Sequence, residues 1–250
     1  MGSFADLTIV GDPAALAETA AHAIVDAATQ AVAARGRFTI ALAGGATPRA
    51  TYGRLALPPF RDRMPWERTW IFFGDERGVS PDHPESNYRM VREALLEKVP
   101  IPPAHVLRIR GEAEDPEVAA AAYARTLAEV FETRRGELPR FDLILLGLGI
   151  DGHTASLFPG SPALKEVFRM VAAVHAAAAA VPQRLTLTFP VLNAAAYVVF
   201  LVSGIEKAKV VRAVLSEQAM LPAGMVRPTD GRLLWILDRA AASSLPAEGR

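Results

Sequence analysis

The sequence contains no cysteine, and this absence excludes several kinds of chemistry at once. Without a thiol the chain has no disulfide framework, no thiolate nucleophile, no zinc ribbon and no iron–sulfur cluster. It also lacks excess charge, because 27 basic side chains balance 27 acidic ones over 250 residues. The basic residues are scattered rather than massed, so the electrostatic footprint of a nucleic-acid-binding protein is missing. We therefore expect a small-molecule partner and no nucleic acid.

Long hydrophobic runs are also scarce. The uncharged stretch Leu185–Ile205 raises the question of a membrane span, since a span needs about 20 apolar residues. It contains Thr186, Pro190 and Asn193, and its pattern predicts a strand, a short helix and a second strand instead. Residues 1–6 show no basic segment leading into an apolar stretch, so we expect no secretory signal, no membrane contact and a cytoplasmic protein.

Apolar segments with strand character alternate along the chain with segments of helical periodicity. The predicted strands are Phe38–Ala43, Thr69–Phe73, Leu143–Leu146, Leu185–Phe189, Tyr197–Val202 and Leu233–Leu237. The predicted helices are Pro13–Ala34, Pro48–Leu55, Asn87–Val99, Pro116–Thr133 and Glu206–Glu217. Most of the strands are apolar on both faces, as central strands of a parallel sheet are. The alternation predicts a doubly wound α/β fold with a mostly parallel sheet and helices on both faces.

The sequence gives no sign of a second domain. It has no fixed-period repeat, no low-complexity linker and no shift in composition, so we expect residues 1–250 to form a single domain. Ligands of a doubly wound fold bind beyond the carboxyl ends of the strands. Three motifs with functional side chains follow predicted strands and therefore belong at that edge of the sheet.

The sharpest motif is Gly-Leu-Gly-Ile-Asp-Gly-His-Thr-Ala-Ser-Leu-Phe-Pro at residues 147–159. Its glycines allow unusual backbone conformations and let a ligand approach the main chain closely. His153 is the candidate general base, because an imidazole takes and returns a proton near neutral pH. Asp151 is placed to accept the other ring N–H and to stabilise the imidazolium. An isolated Asp-x-His is more often a local turn, but the glycines and the position after a strand favour a site here.

A second motif, residues 42–49, joins another strand to a helix and is a candidate phosphate site. Gly44 and Gly45 expose consecutive amides beside the positive end of a helix, so a phosphate can be held largely by backbone. Thr47 either adds a hydroxyl or caps the helix, with Pro48 as its first residue. The pattern is neither a P-loop nor a dinucleotide fingerprint. A plain tight turn remains the alternative.

Further charged residues lie at the ends of other predicted elements. Asp75 and Arg77 follow a strand, and because charged groups are not buried without partners they line a cleft or lie on a surface turn. Ser86, before the next helix, has an alternative role as a helix cap. Arg184 and Lys207 are either solvated charges or, with the glycine loop, a clamp that combines a guanidinium fork with an ammonium point charge.

Taken together, the motifs resemble the 6-phosphogluconolactonase family, which shares its fold with sugar-phosphate deaminases. The matching segments span nearly the whole chain and lie at residues 41–48, 73–77, 86–88, 147–159, 184–186 and 203–208. The resemblance implies a Rossmann-like fold and hydrolysis of 6-phospho-D-glucono-1,5-lactone in the oxidative pentose phosphate pathway, without metal or organic cofactor. Family members often carry serine where this chain has Ala43 and Ala46, so two hydroxyls are lost while the backbone amides remain.

The resemblance also implies roles for individual residues. It identifies His153 as the base and places Asp75 and Arg77 in the cleft beside it. The implied phosphate-site residues are Gly44, Gly45, Thr47, Arg184 and Lys207. Arg77 or amides of the glycine-rich loop are the candidate oxyanion donors. The sequence leaves open whether Asp151 or Asp75 supports the histidine, and it leaves the oligomeric state open.

Two other functions are alternatives. The related loop of glucosamine-6-phosphate deaminases supplies a glutamate for ring opening, whereas here Phe158 stands immediately before Pro159, and an apolar ring cannot relay protons. A non-catalytic sugar-phosphate sensor would keep the clamp and lose the base, whereas His153 is present. Binding without turnover of the lactone would identify such a sensor.

Overall fold

A computed structural model describes residues 5–177 and 179–246. Outside the described residues lie 1–4, 178 and 247–250. The first of these ranges is part of the segment in which we expect no secretory signal. The helices are α1 (Pro13–Arg35), α2 (Ala46–Leu55), α3 (Phe60–Arg63), α4 (Asn87–Ala94), α5 (Pro116–Phe131), α6 (Phe189–Ala194) and α7 (Ala208–Leu215). The strands are β1 (Asp6–Val10), β2 (Phe38–Leu42), β3 (Thr69–Phe73), β4 (Asp75–Arg77), β5 (Leu143–Leu146), β6 (Val171–His175), β7 (Gln183–Leu187), β8 (Tyr197–Val202) and β9 (Arg232–Asp238).

Six strands form a fully parallel sheet in the order β1-β9-β8-β5-β2-β3. The middle strands β2, β5 and β8 are buried along nearly their whole length. This is why they read as continuous apolar runs rather than as alternating patterns. The predicted α/β fold with a mostly parallel sheet flanked by helices is confirmed. The edge strand β1, which is partly exposed and begins with a charged residue, was not predicted.

Three further strands form a small antiparallel sheet in the order β4-β7-β6. The strand predicted at Leu185–Phe189 is β7, two residues earlier, and it belongs to this sheet rather than to the parallel one. Sequence patterns did not predict β6, which is alanine-rich, or β4, which is short and charged, because neither has typical strand composition. The small sheet is important for the site because β4 and β7 carry Arg77 and Arg184.

The ends of α1 and α5 follow their sequence signals. Asp12 and Asp115 cap these helices by accepting hydrogen bonds from backbone N–H groups, and a proline occupies the first helical position in each. Gly36, with φ +74°, ends α1 in the left-handed conformation that glycine adopts freely. These local signals made the two helix starts predictable from sequence.

Three predicted helices are shorter in the structure; α5 ends at Phe131, two residues before the predicted end, and the other two differ more. The helix predicted at Asn87–Val99 ends at Ala94 and is followed by a 3₁₀ turn. The helix predicted at Glu206–Glu217 becomes α7, preceded by the 3₁₀ turn Ile205–Lys207. In both cases the tighter turn continues the apolar spacing for a few residues, so the periodicity alone did not mark the boundary.

The uncharged run from residue 185 to residue 205 contains the end of β7, all of α6 and all of β8, as its pattern predicted. Most of its apolar side chains belong to the core, whereas Ile205 at its end is exposed. The Phe200 ring, for example, stacks on Trp235 of β9 with a centroid distance of 3.9 Å. Within the part of the chain that the structure describes, no helix combines the length and the apolar character needed to cross a membrane.

Candidate active site

A cleft of about 440 Å³ opens at the carboxyl ends of β2, β5 and β8. This is where a doubly wound sheet is expected to bind its ligand. The predicted site residues that line it are Gly44, Gly45, Thr47, Asp75, Arg77, His153, Arg184 and Lys207. The remaining one, Asp151, bonds to the His153 ring from the adjoining turn. The tertiary structure therefore brings together all the side chains that the motifs singled out.

The His153 ring is oriented by Asp151. Its Nδ1 lies 2.5 Å from Asp151 Oδ1, and the backbone N–H of His153 donates to the same oxygen at 3.2 Å. The ring packs against Phe158 at a centroid distance of 4.5 Å, and 32% of the side chain is exposed. Among the described residues none bonds to Nε2, which leaves that nitrogen available to a ligand. Of the two aspartates left open by the sequence, Asp151 is the one that contacts the histidine.

Asp151 is held in its charged form. Partial burial favours the neutral carboxyl, but the N–H of His153 and the adjacent imidazole outweigh it and keep the pKa of Asp151 below its ordinary value. An ionised acceptor at Nδ1 favours the tautomer that carries its proton on that nitrogen and has Nε2 as the basic one. The pair thus has the geometry of a general base with an orienting carboxylate.

The compactness of this loop depends on Gly149. A Cβ atom at this position would lie 2.1 Å from His153 Nδ1 and 2.6 Å from Asp151 Oδ1. Such distances are far below van der Waals contact, so a larger residue displaces the imidazole–carboxylate pair. The loop is also held by the Gly149 N–H, which donates to the His153 carbonyl at 2.8 Å.

Replacement of Gly149 by alanine is therefore expected to lower kcat by about tenfold to a hundredfold, because misplacing a catalytic group by about 1 Å has effects of that order. Gly53→Ala is the matched control, since a Cβ there meets nothing within 4 Å. The measurement is steady-state turnover of the lactone discussed below, with circular dichroism to verify folding. Equal activity of the two alanine variants would contradict the assigned geometry.

The candidate phosphate loop, residues 42–49, presents the start of α2 to the cleft. Gly45, with φ +103°, is the N-cap, and no side chain caps the helix. The first N–H groups of the helix therefore lack intrahelical partners and are available to an anion. Thr47 lies inside α2, so its alternative role as the helix cap, with Pro48 as the first residue, is wrong. The helix starts at Ala46 because the glycine before it adopts a conformation that other residues resist.

Tyr52 anchors this loop from within. Its hydroxyl accepts a hydrogen bond from Ala43 N at 3.0 Å and donates to Ala43 O at 2.8 Å. Burial is the main cause that raises the pKa of Tyr52 well above its ordinary value, so the hydroxyl stays protonated. At helical spacing among apolar residues, Tyr52 looked like an ordinary core residue, and its role was not predictable from sequence.

Arg77 and Arg184 lie side by side as directly opposed residues of β4 and β7. Arg77 Nη1 donates to the Glu85 carbonyl at 2.6 Å, and Arg184 Nε donates to the Val181 carbonyl at 2.8 Å. Burial, followed by the proximity of Arg77, lowers the pKa of Arg184. Within the described residues the buried Nε of Arg77 has no hydrogen-bond partner. Opposed like charges are destabilising. The Glu85 carboxylate, 3.6 Å from Arg77 Nη1, offsets one of the two charges, and an anion bound between or beside the guanidinium groups would offset the other.

Asp75 connects two other parts of the cleft. The side chain is only 6% exposed. It accepts hydrogen bonds from Ser156 Oγ at 2.7 Å and from Asn87 Nδ2 at 3.1 Å. Gly44 leaves room for Asn87, because a Cβ at residue 44 would lie 2.0 Å from Asn87 Oδ1. The geometry thus favours a positioning role for Asp75 over direct catalysis. Ser156 belongs to the 147–159 motif, but its contact with Asp75 was not predictable from sequence.

Glu76 is a structural neighbour of the cleft. Its buried carboxylate accepts hydrogen bonds from the backbone N–H groups of Arg77, Asn87 and Tyr88 and from the Ser86 hydroxyl. Burial raises the pKa of Glu76 above its ordinary value despite these donors. Ser86 is the N-cap of α4, where its Oγ accepts from Arg89 N. The helix-cap interpretation of Ser86 is thereby confirmed.

Lys207 supplies a further cation to the lining of the cleft. It ends the 3₁₀ turn that follows β8, together with Ser203 and Glu206 on the rim of the cleft. Within the described residues Lys207 forms no ion pair, so its ammonium group is available to a ligand. The cleft therefore combines one imidazole–carboxylate pair with three cationic side chains and an uncapped helix start.

Fold and site together define a doubly wound α/β protein with a cleft suited to a small phosphorylated ester. Residues 11–235 match the family model described as "Glucosamine-6-phosphate isomerases/6-phosphogluconolactonase". The chain belongs to this family.

Two relatives are close in sequence and align with most of the chain. The 6-phosphogluconolactonase of Synechocystis sp. is 44% identical over 233 residues, which is 92% of this chain and 94% of the relative. The 6-phosphogluconolactonase of Rattus norvegicus is 45% identical over 213 residues, with 84% and 82% of the two chains covered.

Solved structures confirm the fold. The 6-phosphogluconolactonase from Trypanosoma cruzi superposes with a TM-score of 0.87 at 30% identity and covers 99% of each chain. A monomeric glucosamine-6-phosphate deaminase has a TM-score of 0.79, but at 22% identity it shows a shared fold only; 96% of this chain and 99% of the deaminase are covered.

Proposed function

We propose that this protein hydrolyses 6-phospho-D-glucono-1,5-lactone to 6-phospho-D-gluconate, a step of the oxidative pentose phosphate pathway. The observation that carries the proposal is the oriented imidazole of His153 in one cleft with Arg77, Arg184, Lys207 and the start of α2. A base and an anion site in one cleft suit a substrate whose ester carbon and phosphate lie at opposite ends. The names of the close relatives agree with this substrate.

In the proposed mechanism His153 Nε2 removes a proton from a water molecule that attacks C1 of the lactone. A bond forms between the water oxygen and C1, and the carbonyl electron pair moves to its oxygen. When the tetrahedral intermediate collapses, the bond between C1 and the ring oxygen breaks and His153 returns its proton to that oxygen. Asp151 stays ionised throughout and stabilises the transient imidazolium. The new carboxylic acid then loses its proton to solvent.

The phosphate end is assigned to the cations and the helix start. Arg184, Lys207 and the amides of Gly44 and Gly45 bind the phosphate oxygens, with Thr47 at the same loop. Because Arg77 and Arg184 are direct neighbours, Arg77 acts on the phosphate as well. The oxyanion donors are then the backbone amides of the glycine-rich loop at residues 147–159, which were the other candidates beside Arg77.

The test is to measure lactone turnover above the spontaneous rate together with binding of 6-phosphogluconate. We expect saturable hydrolysis and much weaker catalysis on glucono-1,5-lactone, which lacks the phosphate. Binding without turnover would identify a sensor instead. Ammonia release from glucosamine 6-phosphate would identify a deaminase, but Phe158 packs on the His153 ring where that reaction requires a proton-relaying acid.

The pH dependence provides a separate prediction. Because the pKa of Asp151 is lowered, its carboxylate is already ionised over the range of about pH 5–8 in which an imidazole titrates. For glucono-1,5-lactone, which carries no titrating phosphate, log kcat/KM is therefore expected to fall towards acid with a slope of one, as a single general base requires. Circular dichroism over the same range is the control for loss of folding. This control is needed because burial raises the pKa of Glu76, a second carboxylate near the cleft. A slope of two with intact folding would contradict a single titrating base.

Two further expectations remain proposals. We propose that residues 1–250 form one domain, since the family match spans 11–235 and one hydrophobic core contains side chains of both sheets.

We also propose a cytoplasmic location. A phosphorylated sugar does not cross a lipid bilayer unaided because burying its charge is too costly, so the enzyme belongs in the compartment where the lactone forms.

A further inference from the structure

Asp238, the last residue of β9, is a buried acid that the proposed mechanism does not use. Its side chain is 2% exposed. Within the described residues it has no basic partner, and its hydrogen bonds come from neutral groups. A buried carboxylate without a counter-ion is costly unless its oxygens are fully hydrogen-bonded. Asp238 also lies just beyond the residues that the family model matches.

The hydrogen bonds of Asp238 hold the turn that follows β8. Ser203 Oγ donates to Asp238 Oδ2 at 2.5 Å, and Gly204 N donates to both carboxylate oxygens at 3.1 and 3.2 Å. On the other side, Ala241 N donates to Oδ1 at 2.7 Å. β8 and β9 are paired up to Val202 and Leu237, so the carboxylate stands directly beside the point where the chain leaves β8 for the cleft.

The tethered turn has a sharply defined conformation. Gly204 adopts φ +105°, and a Cβ atom there would lie 2.5 Å from the Glu206 carboxylate. The Gly204 carbonyl then accepts from Lys207 N at 3.1 Å, which starts the 3₁₀ turn. Ser203, Glu206 and Lys207 all line the cleft. Lys207 forms no ion pair with the described residues, so the backbone of this turn sets the point from which its flexible side chain reaches into the cleft.

We propose that Asp238 is a positioning residue for the phosphate end of the cleft. Through Ser203 and Gly204 it holds the turn that places Lys207 against the phosphate of the substrate. The inference rests on the proposed function and concerns substrate affinity rather than the chemical step, because His153 and Asp151 belong to the separate loop after β5.

Asp238→Ala is expected to raise KM for the phosphorylated lactone and the Kd for 6-phosphogluconate by about tenfold, the loss of one charge-assisted contact. The kcat value should stay within about twofold. Hydrolysis of glucono-1,5-lactone should be unaffected. Asp238→Asn is expected to restore most of the affinity, since its amide oxygen can accept from Gly204 and Ala241 while its NH₂ faces the Ser203 hydroxyl.

The matched control is Asp142→Ala. Asp142, like Asp238, is a largely buried aspartate that accepts from a backbone N–H and a hydroxyl, both of Thr39. Unlike Asp238 it also pairs with Arg35, and it lies at the amino end of β5, away from the cleft. It should lose stability without changing KM. Should Asp238→Ala fail to fold, Ser203→Ala removes one tether while keeping the carboxylate, and it should raise KM by a smaller factor.

A double-mutant cycle with Lys207→Ala decides whether Asp238 acts through Lys207. In that background Asp238→Ala should change KM and Kd by less than twofold. A full tenfold effect there, an unchanged KM in a folded Asp238→Ala protein, or an equal loss on both lactones would overturn the proposal. If the unaltered protein bound 6-phosphogluconate but hydrolysed no lactone, the proposed function would fail, while the Kd measurements would still test Asp238.

Discussion

Replacement of His153 by alanine is expected to lower kcat for lactone hydrolysis by a factor of about 10²–10⁴, the usual contribution of a positioned general base. Among the described residues that line the cleft, His153 provides the imidazole. Its Nδ1 contacts the Asp151 carboxylate, and its Nε2 is left available to a ligand. Binding of 6-phosphogluconate should change little, because the ring does not belong to the anion site. Steady-state kinetics above the spontaneous rate and calorimetric titration with the product provide the two measurements.

Two variants sharpen this experiment. His175→Ala removes an exposed histidine of β6 that does not line the cleft, and it should retain full activity. Asp151→Asn keeps the shape of the orienting side chain but loses its charge, so it should lower kcat and leave product binding intact. Near-normal turnover by the His153→Ala protein would remove this residue from the mechanism.

The second large effect is expected from Arg184→Ala, which should raise KM for the phosphorylated lactone about a hundredfold. Removing one partner of a desolvated, hydrogen-bonded charge pair costs about 2–5 kcal/mol. Arg184 is 9% exposed and sits beside Arg77 in the cleft. The two guanidinium groups repel each other, and the ion pair of Arg77 with Glu85 at 3.6 Å offsets only one of the two charges. The loss should therefore appear as weaker binding of both substrate and product, with a smaller change in kcat.

The decisive comparison for this variant is between the phosphorylated lactone and glucono-1,5-lactone, which has no phosphate. Arg184→Ala and the unaltered protein should hydrolyse glucono-1,5-lactone at similar rates, because that substrate has no phosphate to bind. Arg212→Ala is the control, since Arg212 is an exposed arginine of α7 paired with Glu217. If the Arg184 variant bound 6-phosphogluconate as tightly as the unaltered protein, Arg184 would be an ordinary structural charge.

Much of the fold was predictable because its signals are local. The strands β2, β3, β5, β8 and β9 are apolar runs of the right length, and α1 and α5 carry side-chain caps followed by proline. The strands that escaped prediction have weak local signals. β4 is three residues of charged sequence and β6 is alanine-rich, and each is a strand because β7 supplies its hydrogen-bonding partner.

The order of residues along the chain was enough to identify the side chains available for chemistry: a histidine two residues after an aspartate in a glycine-rich loop, and a glycine pair where a strand meets a helix. These are properties of a few neighbouring residues. Only the tertiary structure decided that Asp151, not Asp75, contacts His153, that Arg77 lies beside Arg184, and that Asp238 holds the turn before Lys207. Such contacts join segments far apart in the chain or depend on side-chain direction, and local sequence carries no measure of either.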